Sequence, residues 1–105
     1  MTTPMDVLRD AILRKKSVSF SYHNPKKSPK PITKIVGNPH ALYATNTGNI
    51  NLDLYQTSGE ATPTWKDYTL AYILDLKILE SEPSFTEAPD YKSYARKYER
   101  KFIKL

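Results

Sequence analysis

The sequence predicts an α+β protein, mostly β: an N-terminal helix, a small and strongly bent five-stranded sheet or barrel, and a basic C-terminal tail. Three observations carry this. A helix-start signal with helical periodicity is confined to the first sixteen residues. Short runs alternating apolar with polar residues recur from Val18 to Ile78, split by turn residues. The chain has 105 residues, which suits one small core and one domain.

In the stretch Thr3-Pro4-Met5-Asp6, Thr3 can cap, Pro4 fits the first helical position and Asp6 completes a capping-box pattern. Met5, Leu8, Ala11 and Ile12 then mark one helical face, and the helix should end near Lys16. Val18, Phe20 and Tyr22 alternate with serines as a half-buried strand. Residues 23–31 hold three prolines and three lysines and read as an exposed loop. Ile32 to Val36 is a second strand, which Gly37-Asn38-Pro39 should break. Ala41 to Ala44 and Ile50 to Tyr55 form a hairpin around Asn46-Thr47-Gly48-Asn49. Tyr68 and Leu70, then Leu74, Leu76 and Ile78, continue the alternation, with a register shift or short turn at Ala71-Tyr72-Ile73. Two readings fit the end of the chain: an amphipathic helix from Asp90 using Tyr91, Tyr94, Ala95 and Tyr98, or a closing strand at Phe102 to Leu105. The pattern thus divides the chain into residues 1–80, helix and bent sheet, and residues 81–105, a basic extension packed on that domain or flexible from it.

Charge is unevenly spread. Ala11 to Leu52 has no acid but seven cations; Asp53 to Asp90 has eight acids against Lys66 and Lys77; the tail from Lys92 to Lys104 has six cations against Glu99. Two basic segments flanking an acidic one suit a positive face that attracts phosphates, although lysines are also inexpensive on any solvated surface. No run approaches the ~18 apolar residues of a membrane span, and no secretory signal is evident at the N-terminus. Cysteine does not occur, so disulfides and cysteine-ligated metals are excluded. A cytoplasmic protein without membrane contact and without a cofactor is expected. Enzyme signals are lacking too: His23 and His40 have no metal-ligand spacing, no serine sits in a nucleophile elbow, and three glycines build no phosphate loop.

The order helix, Phe20-Ser21-Tyr22 strand and basic loop resembles the WYL domain family, as does the run Pro39-His40, Gly48-Asn49, Leu52, Tyr55-Gln56, Gly59, Trp65-Lys66, Tyr68, Leu70, Ile73, Leu76 and Ile78-Leu79. The resemblance is to small stand-alone members and covers Met5 to about Leu79. It implies a helix followed by an Sm-like β-barrel, and a non-enzymatic module of bacterial or phage regulators that senses ligands or binds nucleic acid. In this family a positive site is built from arginines, a histidine and aromatics; His40 fits the histidine and Tyr22 the first-strand aromatic. The chain also departs from the family. Where many members read phenylalanine-arginine-leucine-aspartate-arginine-isoleucine, it has Tyr68-Thr69-Leu70-Ala71-Tyr72-Ile73, so Thr69 and Tyr72 replace both arginines. Lys34 falls one residue out of register with a further arginine, and a lysine lacks the bidentate fork that grips phosphate.

The expected function is a regulatory or accessory module binding nucleic acid or a nucleotide-type anion. The basic arm from Arg14 to Lys34, with Lys26, Lys27, Lys30 and Lys34, the tail from Lys92 to Lys104, and Lys66 would supply charge. Tyr22, His40, Tyr43, Tyr55, Gln56, Trp65 and Tyr72 would supply stacking and polar edges. The alternative is a protein-interaction module, a homodimer or accessory subunit, using open strand edges.

Overall fold

The computed structural model describes residues 2–105. Helix α1 (Pro4–Arg14) starts as its sequence dictates: Thr3 accepts from the Asp6 N–H at 3.1 Å, and Asp6 accepts from the Thr3 N–H at 3.2 Å. It ends where Lys15 turns left-handed at φ 54° and its N–H reaches back to Ala11 and Ile12 carbonyls. Leu8, Ala11 and Ile12, on one helical face, are buried against the sheet.

The sheet is antiparallel, formed by β1 (Val18–Tyr22), β2 (Ile32–Ala44), β3 (Ile50–Gln56), β4 (Thr64–Thr69), β5 (Ile73–Ile78) and β6 (Lys101–Lys104). Strand order is β4-β3-β2-β1-β5, with β6 added to β2 beyond the end of β1. The architecture is therefore α+β and mostly sheet, with six strands among the described residues rather than five. β4 and β5 form no ladder with each other, so the sheet is open, not a closed barrel. It is nonetheless bent enough that Tyr68 of β4 packs edge-on against Phe20 and Tyr22 of β1, at centroid distances of 5.2 and 4.8 Å. A 3-10 turn at Leu70–Tyr72 makes the corner between β4 and β5.

Two local expectations need correction. β2 is not broken at Gly37-Asn38-Pro39 but runs through it. On one edge Gly37 is the last partner of β1 and Ala41 the first of β6, so Pro39 lies in the gap where its missing N–H costs no bond on that edge. Of the two readings of the tail, the closing strand holds, as β6, and the amphipathic α-helix does not: before β6 there is only a 3-10 turn at Arg96–Arg100. A helix there would stack Lys92, Arg96 and Arg100, and Lys97 and Lys101, as like-charge i,i+4 pairs.

Gly37 of β2 pairs with β3 and has no room for a side chain. A Cβ there would lie 2.7 Å from Leu54 Cγ and 2.9 Å from the Tyr55 carbonyl oxygen, and the backbone cannot yield as a side-chain tip can. Gly37→Ala is expected to cost about 1–3 kcal/mol by overpacking. Thermal denaturation followed by circular dichroism would show this as a lower Tm; an unchanged Tm would mean that the hairpin shifts freely.

Candidate functional site

The main core uses one face of the β2–β3 hairpin, with Leu42, Leu52 and Leu54 fully buried. Alternation puts Ala41, Tyr43, Asp53 and Tyr55 on the other face, where β4 contributes Trp65 and Asp67 opposite Tyr55 and Asp53. Residues 85–105 cover much of this face. Ala41, Tyr43 and Tyr98 form a second buried cluster, flanked by Tyr91 and Ala95. The extension is thus packed on the domain: its Phe85 N–H donates to the Lys15 carbonyl, its Leu105 N–H to the His40 carbonyl, and β6 pairs with β2.

His40 sits at the β2 bulge between Pro39 and Ala41, which re-aims its side chain. It has no exposed surface. Its Nε2 accepts from the Ala88 N–H at 3.1 Å, which puts the proton on Nδ1, and Nδ1 donates to the Asn38 carbonyl at 2.8 Å. Four rings surround it: Phe85 stacks at 5.3 Å, and Trp65, Tyr91 and Tyr55 lie at 4.9, 5.0 and 6.3 Å. Burial holds its pKa below the ordinary value, while the Asn38 carbonyl and the carboxylates of Glu87, Asp53 and Asp90 oppose that shift. His40 is a neutral pin for the C-terminal segment.

Asp53, 3% exposed, is the second pin. It accepts from the Tyr98 hydroxyl at 2.5 Å and the Tyr43 hydroxyl at 3.2 Å, and it pairs with Lys97 Nζ at 2.7 Å. Lys97 also lies over the Tyr43 and Tyr98 rings, at 5.7 and 5.3 Å from their centroids. Burial, reinforced by the Asp53 charge, raises the Tyr43 pKa to about 12 and also raises that of Tyr98.

Two clefts open between the segment and the sheet. The larger, about 570 Å³, holds Trp65, Lys66, Asp67, Asp90, Lys92 and Lys97 among its walls. Its acids and lysines balance, and Asp90 already accepts from Trp65 Nε1 at 3.0 Å. The smaller, about 420 Å³, lies between the β2–β3 turn (Thr45, Asn46) and Arg96, Lys97, Glu99 and Arg100, with Tyr43 shared between both clefts. Here cations exceed acids.

Of the residues expected from sequence, the structure gathers His40, Tyr43, Tyr55 and Trp65 on this covered face, while Lys66, exposed and opposite Leu54 in the β3–β4 ladder, only edges the larger cleft. Tyr22 and Tyr72 lie elsewhere, packed edge-on at 6.1 Å, and the Tyr22 hydroxyl accepts from the Thr69 N–H. Gln56 is held by the Tyr68 hydroxyl and the Ser58 carbonyl. Lys26, Lys27 and Lys30 are exposed on the β1–β2 loop and Lys34 on early β2; none of them lines either cleft. Arg96 and Arg100 were not singled out by motif; their signal was only the cation-rich tail. Among the described residues no three histidines or carboxylates converge as a metal site, and no helix is long and apolar enough to cross a membrane.

The molecule is thus a small α+β protein with one helix, an open bent sheet and a cation-bearing C-terminal segment strapped across it. No family model, curated protein or solved structure matches the chain.

Proposed function

We propose that the protein is a non-enzymatic, WYL-like binding module for a nucleic acid or a nucleotide-type anion, acting as a cytoplasmic regulatory or accessory factor. The bent sheet is read as an opened relative of an Sm-like barrel. The observation that carries the proposal is the grouping of Arg96, Lys97 and Arg100 at one cleft beside Tyr43 and Asn46. Arginine forks suit phosphate better than the scattered lysines of the β1–β2 loop. The histidine and aromatics that the resemblance assigns to ligand binding are used here to hold the segment carrying those arginines.

Fluorescence anisotropy with labelled single-stranded RNA, single-stranded DNA and duplex DNA tests the proposal. Affinity should fall steeply between about 50 and 200 mM salt while remaining measurable at the higher value. Binding to none of the three polymers would sink it. A second reading, a protein-interaction module, is favoured by the unpaired outer edges of β4 and β5, where Leu74 is 47% exposed. That reading predicts a salt-insensitive dimer or complex in light scattering.

A further inference from the structure

We infer that the C-terminal segment forms a nucleotide subsite, in which Arg96 and Arg100 hold a phosphate and the face of Tyr94 receives an unpaired base. This rests on the anion-binding reading above and specifies where and how it operates.

Tyr94 differs from its neighbours in the segment. Tyr91 and Tyr98 face inward: the Tyr91 hydroxyl donates to the Leu105 carbonyl at 3.2 Å and Tyr98 to Asp53. Tyr94 lies between these anchors and is 82% exposed, the most open of the exposed large apolar side chains. A lone exposed tyrosine is ordinary on a protein surface. This one is two residues from Arg96, a Cα separation of at most about 7 Å, which one nucleotide spans from phosphate to base.

Arg96 and Arg100 are both exposed and both line the smaller cleft. Lys97 between them is committed to Asp53, so the two guanidinium groups are its principal cations for a ligand. Glu99 lines the same cleft and disfavours a diffuse anion, which leaves a preference for groups that two planar forks can grip. The anchors on either side hold the segment before ligand arrives, which lowers the ordering cost of binding. Stacking on one aromatic ring is tolerant of base identity but requires a base free of its partner strand. The subsite therefore fits a phosphate ester carrying an unpaired base better than it fits a duplex.

The test uses the full chain, a labelled oligothymidylate, the same oligonucleotide annealed to its complement, and inorganic phosphate as competitor. Tyr94→Ala should weaken single-strand binding by about tenfold, and Tyr94→Phe should restore it. Arg96→Gln with Arg100→Gln should weaken binding and flatten the dependence of log affinity on log salt by about 0.7 per arginine. All these side chains are exposed, and unchanged circular dichroism would verify the fold. Duplex bound as tightly as single strand would overturn the inference. So would oligothymidylate binding that survives these variants but is lost in Lys26→Gln/Lys27→Gln/Lys30→Gln, an outcome that keeps the broader reading. Binding of no oligonucleotide by the wild-type chain overturns both.

Discussion

His40→Ala is expected to cost about 3–5 kcal/mol, the range for truncating a buried aromatic, and to free residues 85–105 from the sheet. The variant removes the central ring of a cluster formed by Tyr55, Trp65, Phe85 and Tyr91. It also strips the Ala88 N–H of its acceptor and the Asn38 carbonyl of a donor, and an unmade buried hydrogen bond is more damaging than a made one is helpful. Trp65 is the only tryptophan and stacks on Tyr91 at 5.9 Å, so its fluorescence reports the segment directly. Emission should shift toward that of a solvated indole, with hydrogen exchange rising in residues 85–105 before it rises in β1–β3. Unchanged emission and exchange would show that the rings hold the segment without the histidine.

Acid should do reversibly what this variant does permanently. Burial holds the folded-state pKa of His40 below its ordinary value of 6.5. Above that value both folded and unfolded chains carry a neutral imidazole, and stability does not respond to this group. Below it the unfolded chain takes up a proton that the folded chain refuses. Stability then falls as pH drops, by at most about 1.4 kcal/mol per pH unit, until the folded pKa is passed. Trp65 emission in the wild type should therefore change on acidification from neutral pH, and this component should vanish in His40→Gln, which does not titrate.

The parts of this molecule that short-range rules govern were legible in the sequence. The Thr3-Pro4-Asp6 start, the Val18-Phe20-Tyr22 face and the β2–β3 hairpin each follow from residues a few positions apart. What eluded reading depends on distant partners. Alternation placed Asp53 opposite Leu52 and Leu54, yet its burial depends on Tyr98, 45 residues further along. The tyrosine spacing of the tail fits a helix, but those rings pack on a sheet face that no local pattern announces. Pro39-His40 was visible as a motif. That a bulge would turn His40 into a ring of aromatics was not, because bulges are set by the pairing of neighbouring strands.

Asp53→Ala should be the second most damaging substitution, costing about 3 kcal/mol as a buried acceptor of charge-assisted hydrogen bonds is lost. Lys97 is half-exposed and can rehydrate, which limits the damage from the broken ion pair. The hydroxyls of Tyr43 and Tyr98 both lose their shared acceptor, on rings that are themselves buried. Asp53→Asn should recover only part of the loss: its one amide oxygen can accept from one tyrosine, its amide nitrogen can only donate to the other's oxygen and leaves that hydroxyl's proton without an acceptor there, and the Lys97 ion pair is gone. Tyrosinate absorbance supplies an independent reading. In the wild type, Tyr43 and Tyr91 are raised to about 12 and Tyr98 is raised as well, burial being the first cause in each case and the Asp53 charge contributing to all three. The folded chain therefore retains hydroxyl protons that the unfolded chain loses above the ordinary value of 10.0, and stability falls as pH rises through that window. Removing the carboxylate should move part of the late-titrating absorbance to lower pH and lower the Tm together. If Asp53→Ala left both unchanged, the C-terminal segment would be held by its rings and β6 alone, and the carboxylate at its centre would have to be explained as a feature of the cleft and not of the fold.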